Sequence, residues 1–351
     1  MNIPSLARAA GLVLLGSLAG CPNNNPESCP DTSTETSTAA ASWAVIRDES
    51  TLPGVVLSVW GSAPDSVFFA GGPLGDSGSA VALHYACGQW KDLSPGGTET
   101  FWWVSGSGPD DVWFVGEKGR IAHYDGAKTT DVPSGQTVTL WGAFAFGPDD
   151  AWAVGGTPDA PTGTPNDIVI HWDGKAWTQE ALPGTPLGVS LFKVWGTSDD
   201  DLFVVGERGT IWHRTKAGWV FEGGSPTLTK SRLFTVNGCS SDDVFAVGGD
   251  AVLHRDANGW SKMDVALGNQ VNGVACGPAG KAAIVGFGGL KQRLLDGQWI
   301  NEFGSEPYSD LHATWADGQG VFWAVGGDFV SPGKAGVTRK GVIARFGPPL
   351  Q

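Results

Sequence analysis

The chain repeats one unit seven times, and this repeat constrains the fold more than any other feature. The clearest copy runs from Leu191 to Trp219 and contains four short apolar segments, rich in Val, Phe and Trp and separated by turn formers. None of these segments reaches the ten or so residues that a helix needs, and glycine recurs throughout the unit. Each unit is therefore predicted to form four β-strands, called a, b, c and d below.

Two columns of the repeat fix its register. A glycine ends strand b in every copy: Gly71, Gly116, Gly155, Gly206, Gly248, Gly286 and Gly326. Ten positions earlier lies a small residue in strand a: Gly61, Gly106, Ala145, Gly196, Gly238, Cys276 and Ala316. Because no insertion separates these two columns in any copy, the a-to-b turns are predicted to form a uniform face.

The outer strands indicate how the repeat closes. Strand c carries a column of His84, His123, His171, His213, His254, Arg293 and Arg345, and a tryptophan follows six positions later in most copies. The seventh copy lacks its own strand d, whereas Ser42–Ile46 resembles a strand d with no strands before it. We therefore predict an all-β fold over residues 42–347, a seven-bladed β-propeller of four-stranded blades, with an N-terminal outer strand that completes the last blade. Closure of this kind removes exposed sheet edges.

The repeat motifs resemble two groups of known proteins. Double glycines such as Gly71-Gly72 and Gly155-Gly156, followed by Tyr85 or Trp172 in strand c and a strand d tryptophan, look like the kelch motif. The segments DDVFAVGG and IVIHWDGKAW are similar to repeats in exported propeller lipoproteins of myxobacteria and their relatives. The resemblance covers residues 43–346 and implies a fold, not an activity. Glu117 and Glu207 depart from the kelch pattern because each replaces the second glycine.

The N-terminus predicts export and a lipid anchor. Arg8 precedes a short apolar run, and residues 1–20 read as a secretory signal peptide. The sequence Leu18-Ala19-Gly20-Cys21 resembles the bacterial lipobox, which implies that Cys21 receives the diacylglycerol and a further acyl chain such as palmitate. Residues 21–41 are polar and are predicted to be a disordered tether. Pro22 follows the cysteine where a retention signal would have Asp, so we expect an outer-membrane lipoprotein on the periplasmic or cell-surface side.

The composition and charge of the chain argue against nucleic acid as a partner. The formal net charge is −14, and no basic patch is present to displace the counterions of nucleic acid. The 17 tryptophans and 53 glycines indicate a compact, turn-rich β protein. We expect a monomer with no cofactor, attached to the membrane through its N-terminal lipid.

The repeated polar residues are interpreted as structural. Five of the six histidines occupy one strand c column, so they lie in five different blades and cannot converge on one metal ion. The acidic pairs also occur once per blade, in a-to-b turns where Asp accepts backbone N–H groups: Asp110-Asp111, Asp149-Asp150, Asp200-Asp201 and Asp242-Asp243. His312, in a strand a near the channel, is expected to be a satisfied polar residue. No metal site and no catalytic residue is predicted.

Four cysteines remain after lipidation, an even number for an oxidising compartment. Cys239 and Cys276 lie at or beside the small-residue column of neighbouring inner strands, which predicts a disulfide between them. Cys29 and Cys87 would then pair by elimination and tie the tether to the first blade.

The predicted function is recognition of an envelope protein or glycan. The connections between strands b and c are lengthened in units one, three and seven, and units seven and one are neighbours across the closure. We therefore predict one raised rim from Gly72–Ala80 and the 328–340 segment. Its candidate contacts are Asp328, Phe329, Lys334, Arg339 and Lys340, with the doublet Trp102-Trp103 as a further candidate.

Two alternatives stay open. The first is a carbohydrate-active enzyme of the sialidase-like or polysaccharide-lyase-like propeller type, although the sialidase box and an arginine triad are absent from the sequence. The second is an outer-membrane assembly factor. Clustered titratable side chains at the channel mouth would favour an enzyme, whereas their absence would favour a scaffold.

Overall fold

The structure is a computed structural model, and it describes residues 40–75, 78–161, 164, 166–184, 187–223, 228–277, 280–329 and 339–350. The predicted signal peptide, Cys21, Cys29 and most of the predicted tether lie outside these residues, so the corresponding predictions stay predictions. Among the described residues, no helix has the length and apolarity needed to cross a membrane.

The described residues contain strands and three single-turn 3-10 helices. The strands are β1 (Ser42–Arg47), β2 (Gly54–Ala63), β3 (Ser66–Pro73), β4 (Val81–Ala86), β5 (Gln89–Asp92), β6 (Phe101–Gly108), β7 (Asp111–Gly116), β8 (Ile121–Tyr124), β9 (Thr129–Asp131), β10 (Leu140–Gly147), β11 (Asp150–Gly155), β12 (Ile168–Trp172), β13 (Trp177–Gln179), β14 (Leu191–Ser198), β15 (Asp201–Gly206), β16 (Ile211–Thr215), β17 (Gly218–Phe221), β18 (Thr235–Ser240), β19 (Asp243–Gly248), β20 (Ala251–Asp256), β21 (Gly259–Lys262), β22 (Val271–Gly277), β23 (Lys281–Gly286), β24 (Lys291–Leu295), β25 (Gln298–Asn301), β26 (Leu311–Ala316), β27 (Phe322–Gly327) and β28 (Gly341–Gly347). The 3-10 helices are Glu117–Gly119, Glu207–Gly209 and Phe287–Gly289.

The strands form seven antiparallel four-stranded sheets, which confirms the predicted seven-bladed propeller. Blades 1 to 6 each use four consecutive strands, from β2–β5 through β22–β25. Blade 7 consists of β26, β27, β28 and β1, in that order from the inside outwards. The seven inner strands contact one another in sequence around a ring, and β2 of blade 1 contacts β26 and β27 of blade 7.

The N-terminal strand occupies the place that the missing strand d leaves. Trp43 pairs with Phe346 in the β1–β28 ladder and packs against its ring at 5.7 Å. Its indole Nε1 donates to Glu302 Oε2 of blade 6 at 2.5 Å. The strand d tryptophans of blades 4 and 5 make the same contact, since Trp219 donates to Glu180 and Trp260 donates to Glu222 of the preceding blade. Trp43 is therefore equivalent to a strand d tryptophan.

The hydrophobic core is divided into wedges between blades. Each of seven apolar clusters combines residues from two neighbouring blades, including one that joins blade 7 to blade 1. Large rings such as Trp113, Trp152 and Trp323 are almost fully buried in these wedges. Because each sheet buries both of its faces against neighbours, the fold depends on completion of the ring.

The replacement of the second kelch glycine by Glu117 and Glu207 has a local explanation. Glu117 begins a 3-10 turn, and its carboxylate accepts from the backbone N–H of Thr100 at 3.0 Å. Glu207 does the same for Ser190 at 2.9 Å. Where the second residue is glycine, as at Gly156 (φ +147°) and Gly327 (φ +125°), the backbone takes a conformation that L side chains rarely adopt. Glu117 and Glu207 therefore each hold the start of the inner strand of their own blade by a side-chain hydrogen bond.

Candidate functional site

A β-bulge near the start of the inner strand turns one residue per blade towards the central channel. The pairing of strands a and b shifts register at this point in blades 1, 2, 3, 4, 6 and 7. A bulged residue is left out of the ladder, and its side chain is re-aimed. The residues concerned, with the equivalent residue of blade 5, are Leu57, Trp102, Trp141, Phe192, Phe234, Asn272 and His312. They lie at the channel mouth on the face that carries the b-to-c and d-to-a connections, called the loop face below.

Most of these residues join an aromatic collar around the mouth. We define the collar as Trp102, Trp141, Phe192, Phe234, His312, Phe329 from the b-to-c loop of blade 7, and Phe287 from the 3-10 turn of blade 6. Successive rings touch from Phe234 round to Phe287, with centroid separations between 4.7 and 6.1 Å. Trp102, Phe192 and Phe329 are buried, whereas Trp141, Phe234, Phe287 and His312 are partly exposed. The collar thus combines a packed inner layer with an accessible apolar rim.

Side chains from neighbouring blades satisfy the inner edges of the strands. His312 Nδ1 donates to Leu57 O at 2.5 Å, and Asn272 Nδ2 donates to Leu311 O at 3.1 Å. Thr235 Oγ1 donates to the Asn272 carbonyl at 2.7 Å. The inner edge of each strand a has backbone N–H and C=O groups with no neighbouring strand to pair with, and these side chains supply hydrogen bonds that water would otherwise make. His312 is therefore a satisfied polar residue, as predicted.

The channel has a charge pattern opposite to that of the whole chain. The seven inner strands contain no Asp or Glu, and their ionisable residues outside the disulfide are Lys193 and His312. Lys193 is 4% exposed; its Nζ donates to Trp141 O at 2.6 Å and lies 4.3 Å from the ring centroid of Trp103. Burial lowers the pKa of Lys193 to about 7. Burial, and then the charge of Lys193, lower the pKa of His312 to about 3.

The predicted tryptophan doublet separates into two environments. Trp102 belongs to the collar, and its Nε1 is buried without a hydrogen-bond acceptor in the described part of the chain. Trp103 packs against two interblade clusters and lies beneath the Lys193 ammonium. Trp102 is therefore a mouth residue, while Trp103 packs between blades and supports Lys193.

The described residues of the predicted rim lie at the junction of blades 7, 1 and 2. The backbone N–H of Arg339 donates to Leu74 O at 2.6 Å, and its Nη1 donates to Thr100 Oγ1 at 3.0 Å. The described ends of the two long loops therefore lie side by side. Lys340 pairs with Glu49 at 3.3 Å, and the Asp328 N–H donates to the Lys340 carbonyl at 2.8 Å. Lys334 lies outside the described residues, and ligand binding by this rim stays a prediction.

The histidine column holds strand c to the start of strand b. Nε2 of His123, His171, His213 and His254 lies 2.7–2.9 Å from Oδ1 of the second aspartate of the same blade's acidic pair. His84 contacts Ser66 Oγ at 2.9 Å. In blade 3, ligand atoms of Asp150 and His171 also come within 4.8 Å of one on Asp199. The structural interpretation of the column is thus supported, but sequence reasoning missed that the second aspartate is the histidine's partner.

The cysteine predictions have different outcomes. Cys239 and Cys276 form a disulfide with a Cα–Cα distance of 5.6 Å, which confirms the predicted bond between the inner strands of blades 5 and 6. Cys87 is also disulfide-bonded. Because Cys29 lies outside the described residues, the Cys29–Cys87 pairing stays a prediction.

Sequence reasoning did not find the aromatic collar. The signal was available in the column four positions before the small-residue column, which holds two tryptophans, two phenylalanines, a histidine, an asparagine and a leucine. Two positions further along, the same strands carry Val, Ala or Thr in every copy. A variable aromatic column in an otherwise uniform repeat marks a position that blade packing does not dictate.

Comparison with known proteins supports the fold. No protein-family model and no curated protein sequence matches the chain. A solved structure of YCF48 bound to D1 peptide is 14% identical with a TM-score of 0.64, over 87% of this chain and 96% of that one. YCF48 from Cyanidioschyzon merolae is 16% identical with a TM-score of 0.61, over 88% and 99%. The RRP9 WD40 repeats are 10% identical with a TM-score of 0.63, over 86% and 97%. At these identities the likeness shows a β-propeller fold alone.

Proposed function

We propose that this chain is an envelope lipoprotein whose propeller binds a protein partner on the loop face. The observation that carries the proposal is the aromatic collar, an apolar and partly exposed surface at the centre of that face. Aromatic side chains concentrate binding energy in protein interfaces, because they bury a large area and lose little conformational entropy. The collar brings such residues from blades 2 to 7 together at one point.

The surroundings of the collar favour recognition over catalysis. In the described inner strands the ionisable groups outside the disulfide are Lys193 and His312, and the His312 Nδ1–H is already donated to a carbonyl. Glycoside hydrolysis usually needs a pair of carboxylates on opposite sides of one sugar, and the inner strands carry none. The mouth instead offers apolar rings and backbone, which suits a binding surface. The solved YCF48 structure with a bound peptide gives an example of recognition on a similar fold.

Photo-crosslinking from the two faces tests the proposal. A photoreactive residue at Lys118 or Arg208, both exposed on b-to-c turns, samples the loop face of blades 2 and 4. The exposed Asp110 and Asp200 sample the a-to-b face of the same two blades and serve as matched controls. We expect one protein to be crosslinked from Lys118 and Arg208 in intact cells and not from Asp110 or Asp200. Equal capture from both faces would contradict a loop-face site.

The lipid anchor is the second part of the proposal, and it is supported by the lipobox-like sequence before Cys21. Two or more acyl chains hold a protein firmly on a bilayer, whereas one chain binds only marginally. We expect Cys21→Ala to move the protein from the membrane fraction to the soluble fraction, with Cys29→Ala as the control that stays bound. Continued membrane association of Cys21→Ala would show that another feature anchors the chain.

A further inference from the structure

We propose that the channel mouth binds a carboxylate carried on an aromatic or large apolar group, with the carboxylate directed to Lys193 and the apolar group packed in the aromatic collar. This inference rests on the proposed function, because it names the chemical group that a partner would insert. The same group could also come from a small free acid. The two sources share one chemistry at the site.

The first argument is uncompensated charge. Lys193 is buried, and within the described residues its ammonium contacts the Trp141 carbonyl and the face of Trp103, with no carboxylate among these partners. A buried cation without a counterion is costly, because it loses hydration that neither a carbonyl nor a ring fully replaces. Natural cores rarely retain such a group unless it serves a purpose beyond stability.

The second argument is the sign of the surroundings. All seven inner strands lack carboxylates, although the chain carries a net charge of −14. Charges lining a low-dielectric cleft focus the field within it, so the channel attracts anions while the outer surface repels them. A ligand that reaches Lys193 must therefore present its negative charge locally, in a group small enough to enter the mouth.

The third argument concerns the fit of the lysine and the collar. The Lys193 side chain runs past Gly142, where an added Cβ would lie 3.0 Å from its Cδ, so glycine at this position leaves the lysine its path. The carbonyl that receives the ammonium belongs to Trp141, whose indole is itself a collar ring. The cation therefore lies directly behind the collar. Trp102 adds a second buried donor at the same mouth, since its Nε1 has no acceptor within the described residues.

Other ligand charges fit the site less well. A cationic group would face Lys193 without a carboxylate to offset the repulsion. A neutral group would leave the lysine uncompensated. A small hydrated anion would gain nothing from the collar, so an acid with an apolar body satisfies both features together.

Benzoate tests the proposal, with neutral benzamide as its isosteric control. The full chain, purified in detergent, is titrated with each compound at pH 6, and binding is followed by tryptophan fluorescence and by the unfolding midpoint. We expect benzoate to bind at least tenfold more tightly than benzamide. We further expect Lys193→Met to remove that preference, while Lys128→Met, an exposed charge-matched control, retains it. Above pH 7 the benzoate affinity of the wild type should fall, approaching tenfold per pH unit, because binding then requires uptake of a proton.

A second arm distinguishes the two sources. N-acetyl-Gly-Phe with a free carboxylate is compared with its C-terminal amide. Tighter binding of the acid than of benzoate supports a group presented by a peptide chain, and binding of benzoate alone supports a small free acid. Equal binding of benzoate and benzamide, or an unchanged preference in Lys193→Met, would overturn the proposal. Neither result depends on the crosslinking experiment, so failure of this inference is distinguishable from failure of the proposed function.

Discussion

Deletion of Ser42–Asp48 is expected to destabilise the propeller by roughly 5 kcal/mol or more. The deletion removes all of β1, so β28 loses its hydrogen-bonded partner and becomes an exposed edge. It also removes Trp43, which is 8% exposed, packs on Phe346 and donates to Glu302. Loss of one buried tryptophan typically costs about 3–5 kcal/mol, and the unpaired ladder and the lost hydrogen bond to Glu302, which keeps its ion pair with Arg293, add to this.

The measurement is the free energy of unfolding by urea denaturation, combined with size-exclusion chromatography. We expect the truncated protein to self-associate as well, because an exposed strand edge is a template for pairing with another chain. Deletion of residues 33–39, which has the same length and falls in the predicted tether, is the control. If the two deletions unfold at the same urea concentration, β1 does not close the ring.

Replacement of Lys193 by methionine is expected to stabilise the protein at neutral pH. The pKa of Lys193 is 10.5 in the unfolded chain and about 7 in the folded protein, and this difference lowers the free energy of unfolding by roughly 5 kcal/mol at neutral pH. Methionine fills similar space without a charge, but it leaves the Trp141 carbonyl without its donor, at a cost of about 1–3 kcal/mol. We therefore expect a net gain of about 2 kcal/mol or more at pH 7.

The pH dependence gives this prediction a clear signature. Between pH 7 and 10.5 the unfolded chain holds a proton on Lys193 that the folded chain has released, so this group makes the wild type more stable as pH rises through that window. Below pH 7 both states bind the proton, and its contribution is constant. Urea denaturation at pH 7, 8.5 and 10 should show a smaller slope in Lys193→Met than in wild type or in Lys128→Met. Equal slopes in all three proteins would show that Lys193 is solvated like an ordinary surface lysine.

Predictions from the repeat columns were the most successful. The glycine ending strand b and the small residue of strand a are set by contacts within and between neighbouring blades. An added Cβ at Gly71 would lie 1.9 Å from Val55 O, and one at Gly106 would lie 2.4 Å from Asp111 O. Steric requirements of this kind recur in every blade, so they leave a periodic trace in the sequence. The same periodicity placed Trp43 in the last blade and paired Cys239 with Cys276.

The missed features involve residues that differ from blade to blade. The collar depends on the β-bulge that turns Trp102, Trp141 and Phe192 towards the axis. No residue type in strands a and b predicts this bulge. The environment of Lys193 depends on the path past Gly142 and on a carbonyl and a ring from other blades. Along the chain, Trp103 is 90 residues and Trp141 is 52 residues before Lys193, so no local pattern links them.

The sequence by itself therefore determined the all-β class, the number of blades, the closing strand and the inner disulfide, because each follows from local packing that every copy must satisfy. Only the tertiary structure decided which side chains meet at the channel mouth. Convergence there comes from the ring, which brings the bulged residue of each blade to one axis. The charge of that axis was likewise decided by the fold, since an acidic chain encloses a channel whose strands carry a lysine and no carboxylate.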